Sequence, residues 1–198
     1  MTKVNELKKH LKPGLVYRRS DLVQWSNAVD RHLLALLKDG TLKKLRTGMY
    51  YVPSESVFGK MPPDDTILIR NFLKDDYFLI TSPNDFNSLG VGTTQLYNKR
   101  VVYNHKRHGE FKIGGKVFTF QVKYRFPKKA TPEFLFVDLI NNLDKIAEDA
   151  ELISNSVFEK VKTMDIKKLK RAIREYGSSR TIAMINPLIK LLELKNGS

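Results

Sequence analysis

The chain has 198 residues, of which 41% are hydrophobic and 10% aromatic, and this composition excludes global disorder and suffices for one domain or two small ones. Its 35 Lys and Arg against 21 Asp and Glu give a net charge of +14, which indicates a polyanionic partner, either nucleic acid or an anionic membrane surface; a basic protein that binds neither is the alternative. The absence of cysteine excludes disulfides, thiolate nucleophiles and cysteine-based zinc sites.

Neither the N-terminal segment nor the most apolar run predicts a membrane protein. The stretch MTKVNELKKHLKPG has no apolar core of the kind that a signal peptide needs. The longest apolar run, FLFVDLI at 134–140, contains an aspartate and is far shorter than the roughly 18 residues of a transmembrane helix. We therefore expect a soluble, cytoplasmic protein with no membrane partner.

The first 53 residues predict three short helices followed by a basic β-hairpin. Helical spacing begins in VNELKKHL, Ser20 is expected to cap a second helix, and Ser26 is expected to cap a third that ends at Gly40. The following TLKKLRTGMYYVP predicts a hairpin that reverses at Gly48 and returns to the core. This order of elements is typical of a winged helix-turn-helix domain.

A linker is expected at 54–65, because SESVFGKMPPDD is rich in Ser, Gly and Pro. The predicted domains are a winged helix-turn-helix DNA-binding domain at 1–56 and an α+β C-terminal domain at 57–198. The C-terminal domain is expected to contain a β-hairpin around Gly114 and Gly115 and to end in helices, so the predicted fold class is α+β.

Four helices and one apolar strand face are predicted in the C-terminal domain. The helices are DTILIRNFLKDD, a long TPEFLFVDLINNLDKIAEDAELI that starts at a Thr-Pro cap, DIKKLKRAIREYG between Asp165 and Gly177, and SSRTIAMINPLIKLLELK, which Pro187 is expected to bend or break. The apolar face of the hairpin is formed by alternate residues: Phe118, Phe120, Val122 and Tyr124.

The third helix and the hairpin supply the predicted DNA contacts. A helix fits the major groove of DNA, and residues at its N-terminus face base edges and phosphates. The predicted recognition residues are Ser26, Asn27, Asp30 and Arg31, and the predicted phosphate contacts of the wing are Lys43, Lys44, Arg46 and Thr47. Three alternatives stay open: a solvated basic hairpin, a surface ion pair between Asp30 and Arg31, and a winged domain that docks a protein.

Two further segments predict a secondary basic surface. Residues 95–130 contain ten basic side chains against one acid, interleaved with aromatic residues, as in nucleic-acid surfaces, and the helix at 165–177 adds a basic face. The predicted residues are Lys99, Arg100, Lys106, Arg107, Lys167, Lys168, Lys170, Arg171, Arg174 and Arg180. The alternatives are that Phe118 and Phe120 pack in the core and that the helix face is merely solvated.

No motif predicts an enzyme, a metal site or a cofactor. His105 and His108 lie three residues apart in a strand or loop and have no third ligand at suitable spacing. The glycine-containing segments GVGTTQ and IGGKV lack the spacing of a phosphate-binding loop, and the aspartate pairs 64–65 and 75–76 are placed as caps and turn residues. An enzyme that acts on nucleic acid through His105 or His108 is the remaining alternative.

The segment at 16–53, VYRRSDLVQWSNAVDRHLLALLKDGTLKKLRTGMYYVP, resembles the N-terminal module of the AbiEi-type antitoxins of type IV (abortive infection) toxin–antitoxin systems. The matching positions are Arg31, Leu33, Leu36, Gly40, Leu42, Leu45, Gly48, Tyr50, Tyr51 and Pro53, and SLGVGTTQLYN and REYGSSRTIAMINPLI resemble later segments of the family. The resemblance implies a transcriptional autorepressor that binds inverted repeats in its own promoter. It also implies an antitoxin that neutralises a nucleotidyltransferase-like toxin in phage defence without an enzymatic site of its own.

Overall fold

The computed structural model describes residues 3–57, 59–90, 100–145 and 150–196 and is a mixed α+β fold with a helical C-terminal region. The chain divides into two compact units, Met1–Phe78 with Lys106–Phe120, and Leu79–His105 with Gln121–Ser198. The first unit thus contains residues beyond the predicted linker. The predicted domain limits, 1–56 and 57–198, stay a prediction.

The N-terminal part of the first unit contains three helices and a three-stranded antiparallel sheet. The elements are α1 (Lys3–Lys9), β1 (Val16–Arg18), α2 (Arg19–Leu22), a 3-10 turn (Val23–Trp25), α3 (Val29–Lys38), β2 (Lys43–Arg46) and β3 (Met49–Tyr51). The strand order is β1-β3-β2, and β2 and β3 form the predicted hairpin. Its turn contains Gly48 at a φ of 75°, a backbone conformation that glycine adopts without steric cost.

These helices and strands share one apolar core. Helical spacing turns one side of each helix inward, and the hairpin closes the core from the sheet side. The buried residues are Leu7, Leu11, Tyr17, Leu22, Val29, Leu33, Leu36, Leu42, Tyr50 and Val52. Burial of Tyr50, Tyr51 and Val52 confirms that the hairpin returns to the core.

In the middle of the chain, the described residues form one helix and six strands. The elements are β4 (Ser54–Ser56), β5 (Gly59–Met61), α4 (Asp65–Leu73), β6 (Leu79–Thr81), a 3-10 turn (Pro83–Leu89), β7 (Arg100–Asn104), β8 (Gly109–Ile113) and β9 (Lys116–Val122). Strands β4 and β5 pair antiparallel, so the predicted linker contains a short hairpin. The prediction that Asp64 acts as a cap is confirmed, because its Oδ1 accepts a hydrogen bond from the Thr66 amide at 2.8 Å.

Strands β8 and β9 form the predicted hairpin, with Gly114 and Gly115 in its turn. The Gly114 amide donates to the Leu45 carbonyl at 3.2 Å, and a Cβ on Gly114 would lie only 3.1 Å from the Leu45 side chain. Phe118 and Phe120 are fully buried, as predicted.

The predicted apolar strand face is wrong at its far end. Val122, the last residue of β9, is 50% exposed, and Tyr124, which lies beyond the strand, is 95% exposed, so the alternation that buries Phe118 and Phe120 stops at the end of β9.

Four helices form most of the second unit. They are α5 (Pro132–Asn141), followed by a 3-10 turn (Leu143–Lys145), α6 (Ala150–Thr163), α7 (Ile166–Tyr176) and α8 (Ser179–Asn196). The predicted caps Thr131 and Asp165 are confirmed, since they accept hydrogen bonds from the amides of Phe134 and Lys168. The single long helix predicted from Thr131 is wrong, because α5 ends at Asn141. Pro187 was expected to bend or break the last helix, and α8 continues through it without a break.

Asn141 gives a physical reason for the end of α5. Its Oδ1 accepts hydrogen bonds from the Ser178 amide at 2.8 Å and the Thr181 hydroxyl at 2.6 Å, and its Nδ2 donates to the Tyr176 carbonyl. The side chain thereby joins α5 to the corner between α7 and α8.

Among the described residues, no helix is both long and apolar enough to cross a bilayer.

Candidate nucleic-acid interface

Helix α3 presents one buried face and one exposed face, as its periodicity predicts. Val29, His32, Leu33 and Leu36 are buried in the core of the first unit. The opposite face includes Arg31, Leu34 and Lys38, exposed residues at spacings of three and four, with exposed Ala35 between them. This face therefore combines two positive charges with an apolar side chain, since Leu34 is 69% exposed.

The structure corrects the prediction for Ser26. Helix α3 begins at Val29 after Ala28, and Ser26 lies before it in extended backbone with φ of −153° and ψ of 120°. Its hydroxyl lies 2.7 Å from Nδ1 of His32, and the residue is only 8% exposed. Ser26 therefore holds a buried histidine and is not a helix cap that faces a ligand.

Asn27 and Arg31 occupy positions that suit their predicted contacts, whereas Asp30 is engaged by another side chain. Asn27 and Arg31 are exposed, and Arg31 has no ion-pair partner among the described residues. Both oxygens of Asp30 accept hydrogen bonds from Arg19, at 2.7 and 2.6 Å. The Arg19 hydrogen bonds hold the pKa of Asp30 below its ordinary value, so this carboxylate stays ionised and paired. The alternative of an ion pair between Asp30 and Arg31 is wrong, because Asp30 pairs with Arg19.

Lys43 and Lys44 carry the exposed charge of the hairpin. They lie in β2, an outer strand of the three-stranded sheet, opposite Tyr51 and Tyr50. Both side chains are exposed and have no ion-pair or hydrogen-bond partner in the described part of the chain. Thr47 is exposed in the turn of the hairpin.

Arg46 lies differently from the predicted wing contact. A register shift between Lys44 and Arg46 redirects the side chain, and its guanidinium carbon lies 4.6 Å from the centre of the Phe72 ring. Its Nη1 is buried without a hydrogen-bond partner among the described residues. Arg46 therefore packs on an aromatic side chain instead of extending into solvent with the two lysines.

The predicted secondary surface around residue 106 is partly occupied by internal contacts. Lys106 forms an ion pair with Asp75 at 2.9 Å and donates to the Lys74 carbonyl, and the Arg107 guanidinium lies 4.9 Å from the Phe72 ring centre. Arg100 is half-buried in β7, and Lys99 lies outside the described residues.

Most basic residues of α7 have an acidic neighbour. Lys170 pairs with Glu193 at 2.6 Å, Arg171 with Glu175 at 2.8 Å, and Lys168 lies 3.8 Å from Asp165. The remaining predicted residues Lys167, Arg174 and Arg180 are exposed. These pairs neutralise much of the helix, which favours a solvated face over a binding face.

The second unit contains a buried polar network that was not predicted from the sequence. Asp138 is fully buried, accepts a hydrogen bond from the Tyr103 hydroxyl at 2.7 Å and pairs with Lys123. The Lys123 ammonium also lies 4.2 Å from the Tyr103 ring centre, and burial together with the Asp138 charge raises the pKa of Tyr103. The signal was present in the sequence, because an aspartate inside the apolar run FLFVDLI predicts a buried carboxylate that needs partners.

Two other functional features were also missed. Leu34 lies on the exposed face of α3, and its helical spacing from Arg31 and Lys38 was enough to find it. Arg19 holds Asp30 from another helix, and no local pattern predicts that pairing. His105 and His108 belong to no group of three metal-ligating side chains within the described residues.

Comparison with known proteins supports the fold and leaves the function open. The structure resembles the crystal structure of the RV2827C protein from Mycobacterium tuberculosis with a TM-score of 0.58 and 14% sequence identity, over 94% of this chain and 74% of that chain. At this identity the likeness concerns the fold alone. No protein-family model and no curated protein matches the sequence.

Proposed function

We propose that this protein is a DNA-binding transcriptional repressor that reads double-stranded DNA through the exposed face of α3 and the β2–β3 hairpin. One observation carries the proposal. Arg31 on α3 and Lys43 and Lys44 on the hairpin are exposed and have no ion-pair partner among the described residues, although they belong to elements that share one core. Cations that a fold leaves unpaired are available to phosphates and guanine edges.

The order of the elements supports a winged helix-turn-helix interpretation. Three helices precede a hairpin, and the first strand pairs with the returning strand of that hairpin in the order β1-β3-β2. In such domains the last helix enters the major groove and the hairpin follows the backbone. On this interpretation Asn27 and Arg31 contact bases, while Lys43 and Lys44 contact phosphates.

Binding of the protein to the promoter of the gene that encodes it tests the proposal. We expect the full chain to prefer a fluorescent promoter duplex over a scrambled duplex, and Arg31→Ala to reduce that preference by about 1–3 kcal/mol if the guanidinium contacts a guanine. Lys190→Ala is the control, because it removes an exposed positive charge of α8 that lies outside the predicted DNA-binding residues. Equal affinity of the wild type for both duplexes, or an equal effect of both variants, would contradict the proposal.

The resemblance to AbiEi-type antitoxins adds a biological role to this proposal. We propose that the protein represses its own operon by binding inverted repeats and neutralises a nucleotidyltransferase-like toxin encoded beside it. Co-expression of the neighbouring gene with and without this protein tests the second part. If the product of the neighbouring gene arrests growth and this protein does not relieve the arrest, the antitoxin role is contradicted. That result would not affect the proposal of DNA binding.

Leu34 favours a second candidate, a protein-interaction module that acts without sequence-specific DNA binding. The side chain is 69% exposed at the centre of the α3 face, where a protein partner would cover it. One pair of variants distinguishes the two candidate functions. Leu34→Lys would abolish co-purification of a protein partner but would preserve or strengthen duplex binding, whereas Arg31→Ala would weaken duplex binding.

A further inference from the structure

Tyr124 is an exposed aromatic side chain in a segment where the other described aromatic residues pack inward. Its side chain is 95% exposed, whereas Tyr103, Phe118, Phe120 and Phe126 are nearly or fully buried. Such exposure of a large ring removes it from any role in the core. It also leaves the flat face of the ring accessible to a ligand.

The neighbours of Tyr124 form a concave surface. A cavity of about 400 Å³ is bounded by His105, Val122 and Tyr124. The His105 ring packs 5.0 Å from the Phe126 ring, centre to centre, and its Nε2 lies 3.3 Å from the Tyr124 carbonyl. These contacts tether the backbone that carries Tyr124, just beyond the end of β9, to the buried Phe126 ring through His105.

The sequence segment around this ring carries only positive charges. The segment 123–129 contains four basic residues and no acid, and Arg125 and Lys129 are exposed without ion-pair partners among the described residues. Lys123 is different, because it is paired with the buried Asp138. The surface defined by His105, Val122, Tyr124, Arg125 and Lys129, here called the Tyr124 surface, thus joins an aromatic face to free cations.

We propose that the Tyr124 surface binds single-stranded nucleic acid by stacking Tyr124 on an unpaired base while Arg125 and Lys129 contact the adjacent phosphates. An exposed ring beside a basic track is the arrangement that binds single strands without base sequence preference. A single strand is the fitting occupant, because the bases of a duplex already stack on one another and present only their edges. This site lies on the second unit and does not depend on duplex recognition by α3.

Fluorescence anisotropy with the full chain tests the site. One probe is a labelled strand of about twelve thymidines, a length within the span of one binding domain, and the other is a strand of equal length and charge that lacks bases. The wild type is expected to bind the thymidine strand more tightly than the abasic strand. Tyr124→Ala is expected to weaken binding of the thymidine strand by about 5- to 100-fold and to leave the abasic strand unchanged.

Two further variants separate stacking from charge and from misfolding. Tyr124→Phe keeps the ring and should retain binding, while Arg125→Ala with Lys129→Ala should weaken both strands alike. Tyr124 contributes almost nothing to the core, so its alanine variant should unfold at the wild-type temperature. Equal binding of both strands by the wild type, or unchanged binding by Tyr124→Ala, would overturn the proposal whether or not the promoter duplex is bound.

Discussion

Replacing Lys43 and Lys44 together by alanine is expected to reduce the salt dependence of duplex binding. Both ammonium groups are exposed on β2 and have no partner among the described residues. They lose no internal ion pair when they approach DNA, so each phosphate contact releases a condensed counterion in full. Removal of the two side chains therefore removes two counterion-releasing contacts.

The expected change follows from counterion release. Each neutralised phosphate contributes about 0.9 to the slope of log affinity against log salt concentration, so the double variant should lower that slope by about 1.8. Between about 50 and 200 mM salt, the wild type should therefore lose roughly tenfold more affinity than the double variant.

Anisotropy titrations of a labelled duplex of about twenty base pairs, at a series of salt concentrations, measure the slope directly. The matched control is Lys60→Ala with Lys190→Ala, which removes two exposed lysines outside the predicted DNA surfaces. The control should lower affinity only slightly and leave the slope unchanged. The reasoning is refuted if the Lys43 and Lys44 variant keeps the wild-type slope, or if the control lowers the slope as much.

Three other substitutions test the internal contacts. Arg46→Ala is expected to leave the slope of log affinity against log salt concentration unchanged. It should lower the free energy of unfolding, measured in urea, by about 1 kcal/mol, because the guanidinium packs on Phe72. A reduced slope would contradict this expectation. Asp138→Ala should cost about 3 kcal/mol in the same assay, because it removes the partner of Lys123, which is only 24% exposed; a loss below about 1 kcal/mol would mean that the pair adds little. Tyr103→Phe should flatten the dependence of stability on pH above about 10, the ordinary tyrosine pKa. Since the pKa of Tyr103 is raised in the fold, the unfolded chain binds fewer protons there and stability falls as pH rises. Identical pH profiles for Tyr103→Phe and the wild type in urea titrations would contradict that linkage.

Several features that depend on neighbours in the sequence were predicted well, although the caps expected at Ser20 and Ser26 are wrong, because α2 begins at Arg19 and α3 begins at Val29. The stop of α3 before Gly40, the turn at Gly48 and the caps at Thr131 and Asp165 are set by backbone conformation and by hydrogen bonds within a few residues. The same is true of the buried face of α3, which follows from helical spacing alone.

Features that depend on distant residues were missed. Arg46 turns toward Phe72, which lies 26 positions later in the chain, and no local pattern predicts that contact. Helix α5 ends at Asn141, whose side chain bonds to Ser178, and no local pattern predicts a contact across that distance in the sequence. The exposure of Tyr124 likewise depends on where β9 ends, since alternation alone placed its ring inside.

The internal ion pairs of the first unit determine which of its positive charges can serve a ligand. Arg19 is held by Asp30, Lys106 by Asp75 and Lys116 by Asp65, so these cations already have carboxylate partners. A phosphate that recruited one of them would have to compete with a carboxylate, whereas Lys43 and Lys44 offer their charge without that competition. The count of 35 basic residues consequently overstates the binding surface. Pairing inside the fold, more than the number of basic residues, decides which face of this unit is able to meet a polyanion.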